Sequence, residues 1–221
     1  MIQFFFISVG IVLYTYLGYG ALLFAIVRIK RLFKNNKIAS ENIYEPEVTL
    51  LIAAYNEKEH VTYKIANSLF LDYPVKKIQH VWVTDGSNDE TPEILSHYHQ
   101  ITVLHQKERK GKIAAINRAM KYVKTPIVIF SDANTRLNDQ AVKKIVSYFS
   151  DPKVGCVSGE KRIMTREMDS ASGAGEGIYW KYESLLKKWD AELYSVVGAA
   201  GELFAIRTEL FREVEPDTIL D

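Results

Sequence analysis

The chain holds a single cysteine, Cys156, so no intrachain disulfide can brace it. The apolar residues around Cys156 predict a buried, unreactive thiol. A charge excess is also missing. The net charge is +1 over 221 residues, which argues against a nucleic-acid binder, since such proteins carry a basic excess. The five histidines are scattered, and His97 and His99, two apart, do not share a helix face. No metal-ligand spacing, Ser-His-Asp arrangement, Walker sequence or zinc signature is present. Neither is an internal repeat or a low-complexity tract. What remains is 48% hydrophobic and 25% charged, ordinary for a globular chain with one good-sized core.

One further absence is local. From Ile2 to Val27 there is no charged side chain. A helix needs about 20 apolar residues to cross a bilayer, and Gly10, Gly18 and Gly20 are tolerated in such helices. A cleaved signal peptide would want a basic start, a shorter apolar core and a small-residue cleavage site, and none is present. Arg28, Lys30, Arg31, Lys34 and Lys37 follow at once. Positive residues flanking a span stay on the cytoplasmic side. The expectation is a single-pass anchor in the inner or plasma membrane, N-terminus outside and the rest cytoplasmic. The basic run is expected to be a solvated face that can touch anionic lipid. The predicted organisation is residues 1–34 as anchor and basic segment, 35–46 as linker and 47–221 as a folded domain.

That domain alternates apolar strands and helical runs. Strands are predicted at 47–54, 78–84, 101–105, 126–130, 154–159 and 203–206. Helices are predicted at 57–70, from Thr91 as N-cap with Pro92 at the first position, and at 111–123, 138–149 and 178–194. Residues 166–177, rich in Ser, Gly and Ala, read as a mobile loop. The alternation implies an α/β fold with a mostly parallel sheet flanked by helices.

Two strands end in acid: Val81-Trp-Val-Thr-Asp85-Gly86-Ser87 and Ile127-Val-Ile-Phe-Ser131-Asp132-Ala133-Asn134. Ligands of open α/β sheets bind outside the carboxyl ends of the strands, and acidic groups there suit a nucleoside and a divalent cation. The alternative for Asp85 is a turn in which it caps backbone amides. For Asp132 it is an Asx-turn. Lys110-Gly111-Lys112 opens a helix, and a helix N-terminus with a lysine favours phosphate. A solvated charge run is the alternative there.

In order, Ala53-Ala54-Tyr55-Asn56-Glu57, Asp85-Gly86-Ser87, Arg109-Lys110-Gly111-Lys112 with Asn117, Asp132-Ala133-Asn134 and Gly198-Ala199-Ala200-Gly201 resemble the family 2 glycosyltransferases. The closer likeness is to the membrane-bound processive type related to cellulose, hyaluronan and poly-N-acetylglucosamine synthases. The resemblance implies the GT-A fold, a UDP-sugar donor, a glycan acceptor, and Mg2+ or Mn2+. It places Ala53, Tyr55 and Glu57 in one wall of the nucleoside pocket, Asp85 on the uracil and Lys112 near the diphosphate. Asp132 falls on the metal motif as metal ligand and catalytic residue. Asn134, where the family has a second Asp, is a neutral oxygen ligand or a sugar contact. Gly198 to Glu202 match the acceptor-side loop, with Trp180, Tyr182 and Trp189 near it in sequence.

The implied reaction is inverting displacement for cell-surface or extracellular polysaccharide synthesis, with a carboxylate taking the acceptor proton. The family's base closes an acidic pair in a segment like Thr218-Ile-Leu-Asp221. Asp221 is thus the expected catalytic-side acid, with the base itself one residue further on. The later Gln-x-x-Arg-Trp segment and membrane helices of processive enzymes are not in this sequence. The expectation is donor and metal binding with weak or absent transfer. The alternative is a membrane-anchored nucleotide-sugar-binding fragment that needs a second polypeptide. A sugar-phosphate nucleotidyltransferase would carry a glycine-rich loop and Arg after the first strand, and none follows.

Overall fold

The structure is a computed structural model describing residues 1–33, 44–160, 171–196, 198–215 and 218, with only the helical backbone described for 171–178. Lys34, Lys37, most of the expected linker, residues 166–170 of the expected loop, and Asp221 lie outside the described residues. The chain divides into two compact units. One is Met1–Glu41 with Glu160–Gly198, the other Asn42–Gly159 with Ala199–Asp221.

The larger unit is built on a six-stranded sheet of order β3-β2-β1-β4-β6-β5. Its strands are β1 (Val48–Ala54), β2 (Ile78–Asp85), β3 (Thr102–Gln106), β4 (Ile127–Asp132), β5 (Cys156–Ser158) and β6 (Leu203–Arg207). β1, β2, β3 and β4 pair in parallel. β6 runs antiparallel beside β4, with β5 antiparallel at its outer edge. The sheet is therefore mostly parallel, as the alternation of strands and helices implies.

Helices cover both faces, which is why β1 is apolar almost throughout. Leu50, Ile52, Trp82, Ile127 and Ile129 point to one side, where Val61 and Ile65 of α3 (Lys58–Leu69) and Val142, Ile145 and Val146 of α6 (Ala141–Tyr148) pack. Leu51, Val83, Val128 and Phe130 point to the other, against Ala115, Ile116 and Ala119 of α5 (Lys112–Met120).

Three expectations need correction. Thr91 does not cap its own helix, because α4 (Thr91–Ser96) already includes it. Its N–H donates to Asp89 Oδ1 at 3.0 Å, and its hydroxyl accepts the Glu57 N–H at the mouth of α3 at 2.9 Å. Cys156 is exposed, because three-residue β5 is an edge strand with no second strand outside it. Residues 171–177, expected as loop, form the first turns of α7 (Ala171–Leu193). Alanine has high helix propensity, and a long helix, once nucleated, propagates through its weaker residues.

The smaller unit is helical. Residues Ile2–Phe33 form one long apolar helix, long and apolar enough to cross a membrane, made of α1 (Ile2–Leu13), a π-turn (Tyr14–Gly18) and α2 (Tyr19–Phe33). A π-turn leaves backbone carbonyls poorly paired, and the Tyr182 hydroxyl donates to that of Tyr16 at 2.6 Å. Trp189 packs on Phe24 with ring centroids 5.3 Å apart. Two of the aromatics near the expected acceptor loop thus pack on the N-terminal helix. The basic run is also not merely solvated. Lys30 Nζ donates to the carbonyls of Glu192 (2.8 Å) and Leu193 (2.7 Å), and Arg31 forks onto the Glu192 carboxylate. Cations at the C-terminal end of α7 complement its dipole and its unpaired carbonyls.

One buried group is expected to limit the stability of the fold in acid. His80, on β2, is 8% exposed. Burial lowers its pKa from 6.5 to about 4. Above pH 6.5 it is neutral folded and unfolded; as pH falls toward 4 only the unfolded chain takes the proton, so stability is lost across that window. At 1.36 kcal/mol per pH unit the loss reaches about 3 kcal/mol. Thermal unfolding from pH 7 to 4 is expected to fall steeply in the wild type and less steeply in His80→Phe. Parallel curves would show that other groups set the acid limit.

Candidate active site

The parallel register brings the acidic turns to one edge. Ala53 of β1 lies opposite Val83 and Asp132, and Ala54 opposite Thr84. Tyr55, Asp85 and Asp132 therefore leave the sheet side by side. They line a cleft of about 300 Å³ with Ala53, Glu57, Lys112 and Asn134. Ala53, Tyr55, Glu57, Asp85, Lys112, Asp132 and Asn134, the residues expected for donor and metal, all line this cleft, whereas Gly198 to Glu202, Trp180, Tyr182 and Trp189 do not. Arg109, Gly111 and Ala115 complete it.

Two loops build one wall of the cleft. Asn56 has φ 54°, a left-handed conformation that Asn tolerates better than most residues. Its side-chain amide bridges the neighbouring loop, donating to Asn88 Oδ1 at 2.9 Å and accepting the Asn88 N–H at 3.0 Å. Asp89 Oδ2 accepts the Lys58 N–H at 3.2 Å. The first amides of α3 are thus capped from the β2–α4 loop, which locks the two loops together. Burial raises the pKa of Glu57; His60 opposes this, and the like charges of Asp132 and Asp89 add to it.

Asp85 is 5% exposed. Its Oδ2 accepts the amides of Lys110 at 2.7 Å and Gly111 at 2.6 Å. The amide-capping reading of Asp85 therefore holds for one oxygen. The other, Oδ1, is buried with no hydrogen-bond partner, and the Arg118 guanidinium stands 3.9 Å from it. A buried acceptor left without a hydrogen bond is costly, and the Asp85 side chain lines the cleft.

Gly86 lets the Arg109 segment come this close. A Cβ there would lie 2.8 Å from the Arg109 Cα and N, and φ is +71°. Arg109, unassigned by sequence beyond its place in the motif, lies over the Tyr55 ring at 4.0 Å and donates to its hydroxyl at 3.3 Å. The pair forms a flat, cationic wall.

On the other side, Lys112 Nζ donates to Asp132 Oδ1 at 2.7 Å, with side chains 43% and 27% exposed. Lys112 opens α5, and the two amides just before it are engaged by Asp85, so the ammonium is the group left facing the cleft. The pairing shows that this carboxylate accepts a cation at the turn. Among the described residues no group of three or more His, Cys, Asp or Glu could hold a metal. One carboxylate and the Asn134 carbonyl are hard oxygens that fit a divalent ion completing its shell with phosphate oxygens and water.

The antiparallel strand completes the site. Leu203 pairs with Ser131, and the Asp132 N–H donates to the Glu202 carbonyl at 3.3 Å. The end of the expected acceptor-side loop therefore adjoins the Asp132 turn. Asn117 holds the segment after β6, donating to the Val214 carbonyl at 2.8 Å and accepting its N–H at 3.3 Å.

A mixed sheet with acidic turns converging at the carboxyl ends of β1, β2 and β4 is the GT-A architecture. The family model described as Glycosyl transferase family 2 matches residues 49–215, and the chain belongs to that family. It is 32% identical over 172 residues to a poly-beta-1,6-N-acetyl-D-glucosamine synthase of Staphylococcus aureus strain COL, covering 76% of this chain and 40% of the relative. To the synthase of the same name from Staphylococcus epidermidis it is 29% identical over 151 residues, 66% of this chain and 36% of the relative. The chain thus spans roughly two fifths of these relatives. Among solved structures it is similar to a mannosyltransferase from Pyrobaculum calidifontis in complex with GDP-Man and Mn2+. The TM-score is 0.72 at 26% identity, covering 92% of this chain and 56% of that one.

Proposed function

We propose that this chain binds a UDP-sugar with a divalent cation and transfers the sugar, with inversion, to a glycan acceptor at a membrane. The observation that carries this reading is the cleft itself, lined on one side by Asp85, whose Oδ1 makes no hydrogen bond, and on the other by the Lys112–Asp132 pair. The unpaired Oδ1 suits the imide N–H of uracil. A carboxylate accepts that donor. Arg109 and Tyr55 supply a flat wall for the base, and Glu57 borders it toward the ribose.

Lys112 would leave Asp132 for the diphosphate, whose charge grows as the sugar departs. Asp132 and Asn134 would hold the cation, which neutralises diphosphate charge when bound. Gly201 and Glu202, beside the Asp132 turn, would receive the acceptor. The apolar Ile2–Phe33 helix supports anchoring in the inner or plasma membrane, and the basic residues from Arg28 onward support a cytoplasmic catalytic part. The staphylococcal relatives support N-acetylglucosamine as the transferred sugar, for an extracellular or cell-surface polysaccharide.

Calorimetric titration of UDP into the full chain in detergent, with and without Mn2+, tests the reading. Binding is expected to be about tenfold or more tighter with Mn2+, a difference of about 1.4 kcal/mol, and GDP is expected to bind more weakly. No UDP binding in either condition, or GDP bound as well as UDP, would overturn it.

A further inference from the structure

On α3 the buried positions are 61, 64, 65 and 68, the spacing of one helix face. Three of them are Val61, Ile65 and Ser68. The fourth is Lys64, 1% exposed. Lysine is almost never fully buried unless its ammonium is satisfied. Here Nζ donates to Ser131 Oγ at 2.7 Å and to the Thr135 carbonyl at 2.5 Å. These two partners bracket Asp132, Ala133 and Asn134. One is the last residue of β4 before Asp132, the other the first residue after Asn134.

Among the described residues no carboxylate bonds to this ammonium directly. The nearest influence is the charge of Asp132, which favours the protonated form, while burial draws the pKa down to about 8. A methionine would fill the same space without the cost of burying a charge. What lysine adds is hydrogen-bond donors and a positive charge beneath the turn.

We infer that Lys64 is a positioning residue: by tying Ser131 to Thr135 from beneath, it holds Asp132 and Asn134 toward the cleft in the arrangement that receives the donor diphosphate and its cation. This rests on the nucleotide-sugar reading of the cleft. Asn67, one turn along α3, offers an internal comparison. It grips the same loop further on, donating to the Leu137 carbonyl at 2.8 Å and accepting the Leu137 N–H at 2.9 Å, but it touches neither end of the turn.

The test uses the full chain in detergent, with Lys64→Met and Asn67→Ala. Hydrogen exchange at the amides of residues 131–135 reads the turn without any ligand. UDP titration with and without Mn2+ reads the site, and the EPR signal of Mn2+ in the presence of UDP reads the bound cation. Lys64→Met is expected to melt no lower than the wild type and to exchange about tenfold faster at 131–135. It is expected to lose about tenfold to a hundredfold in Mn2+-dependent UDP affinity, the range for hydrogen bonds from a charged donor. Its bound-Mn2+ signal falls in step, while Mn2+-free UDP affinity stays within about twofold, since the diphosphate contact of Lys112 is untouched. Asn67→Ala is expected to keep Mn2+-dependent affinity within about twofold.

Unchanged exchange and affinity in Lys64→Met would overturn the inference. So would equal losses of affinity in the two variants, which would mean general loosening of the loop. Should the wild type bind no UDP, the nucleotide reading falls by itself. Exchange then judges the tie alone, with faster exchange at 131–135 supporting it and unchanged exchange sinking it.

Discussion

Asp85→Ala is expected to weaken UDP binding by about a hundredfold or more and to lower stability by about 3 kcal/mol. Two short bonds run from the Lys110 and Gly111 amides to Asp85 Oδ2, at 2.7 and 2.6 Å. Each is charge-assisted and worth about 1.5–3 kcal/mol. Without them the turn that delivers Arg109 and Lys112 to the cleft loses its anchor. Arg118 also loses its ionic neighbour, keeping its bond to the Thr84 carbonyl at 2.9 Å. Asp85→Asn separates the two roles of this side chain. Its single carbonyl oxygen can serve the amides, which leaves an N–H2 where a base N–H would need an acceptor. That variant is expected to recover most of the stability and little of the UDP affinity. UDP bound at wild-type strength by Asp85→Asn would show that Asp85 only shapes the turn.

Asp132→Ala is expected to abolish the Mn2+ increment, so that UDP binds with the same affinity with and without the ion. The sign of the metal-free effect is also set by the geometry. Lys112 is engaged by Asp132 at 2.7 Å. Removing the carboxylate frees the ammonium and takes a negative charge away from the diphosphate's place. Metal-free UDP affinity is therefore expected to rise, by less than about tenfold because both groups are partly exposed and screened. Paired titrations of wild type and variant with and without Mn2+ read both effects. Full Mn2+ stimulation in the variant would move the cation site away from this turn.

Much of the site was legible along the chain because parallel α/β folds place ligands at strand carboxyl ends, and strand ends can be recognised locally. Asp85, Asp132 and Asn134 each follow an apolar run by one or a few residues, and Lys112 opens a helix after a glycine. Lys64 left only a faint trace, its place in the 61, 64, 65, 68 face of α3, where a charged residue interrupts a buried stripe. Helical lysines are so often solvated that the interruption passes for surface. Arg109 gave less to read. Its role depends on a tyrosine 54 positions earlier and on a glycine across the turn, and neither lies near it in sequence.

The sequence by itself determined the alternation of strands and helices, the apolar N-terminal helix and the composition of the acidic turns, because these depend on periodicity and on neighbours within a few residues. Only the tertiary structure decided how the pieces are used. It divided Asp85 between one oxygen bound to two backbone amides and one left without a hydrogen bond. It paired Lys112 with Asp132, gave the Lys30 and Arg31 side chains to the end of α7, and left Cys156 on an open edge. Each of these outcomes is a competition between a residue's local partners and a group far along the chain, and the distance between them closes only when the sheet and its helices are assembled.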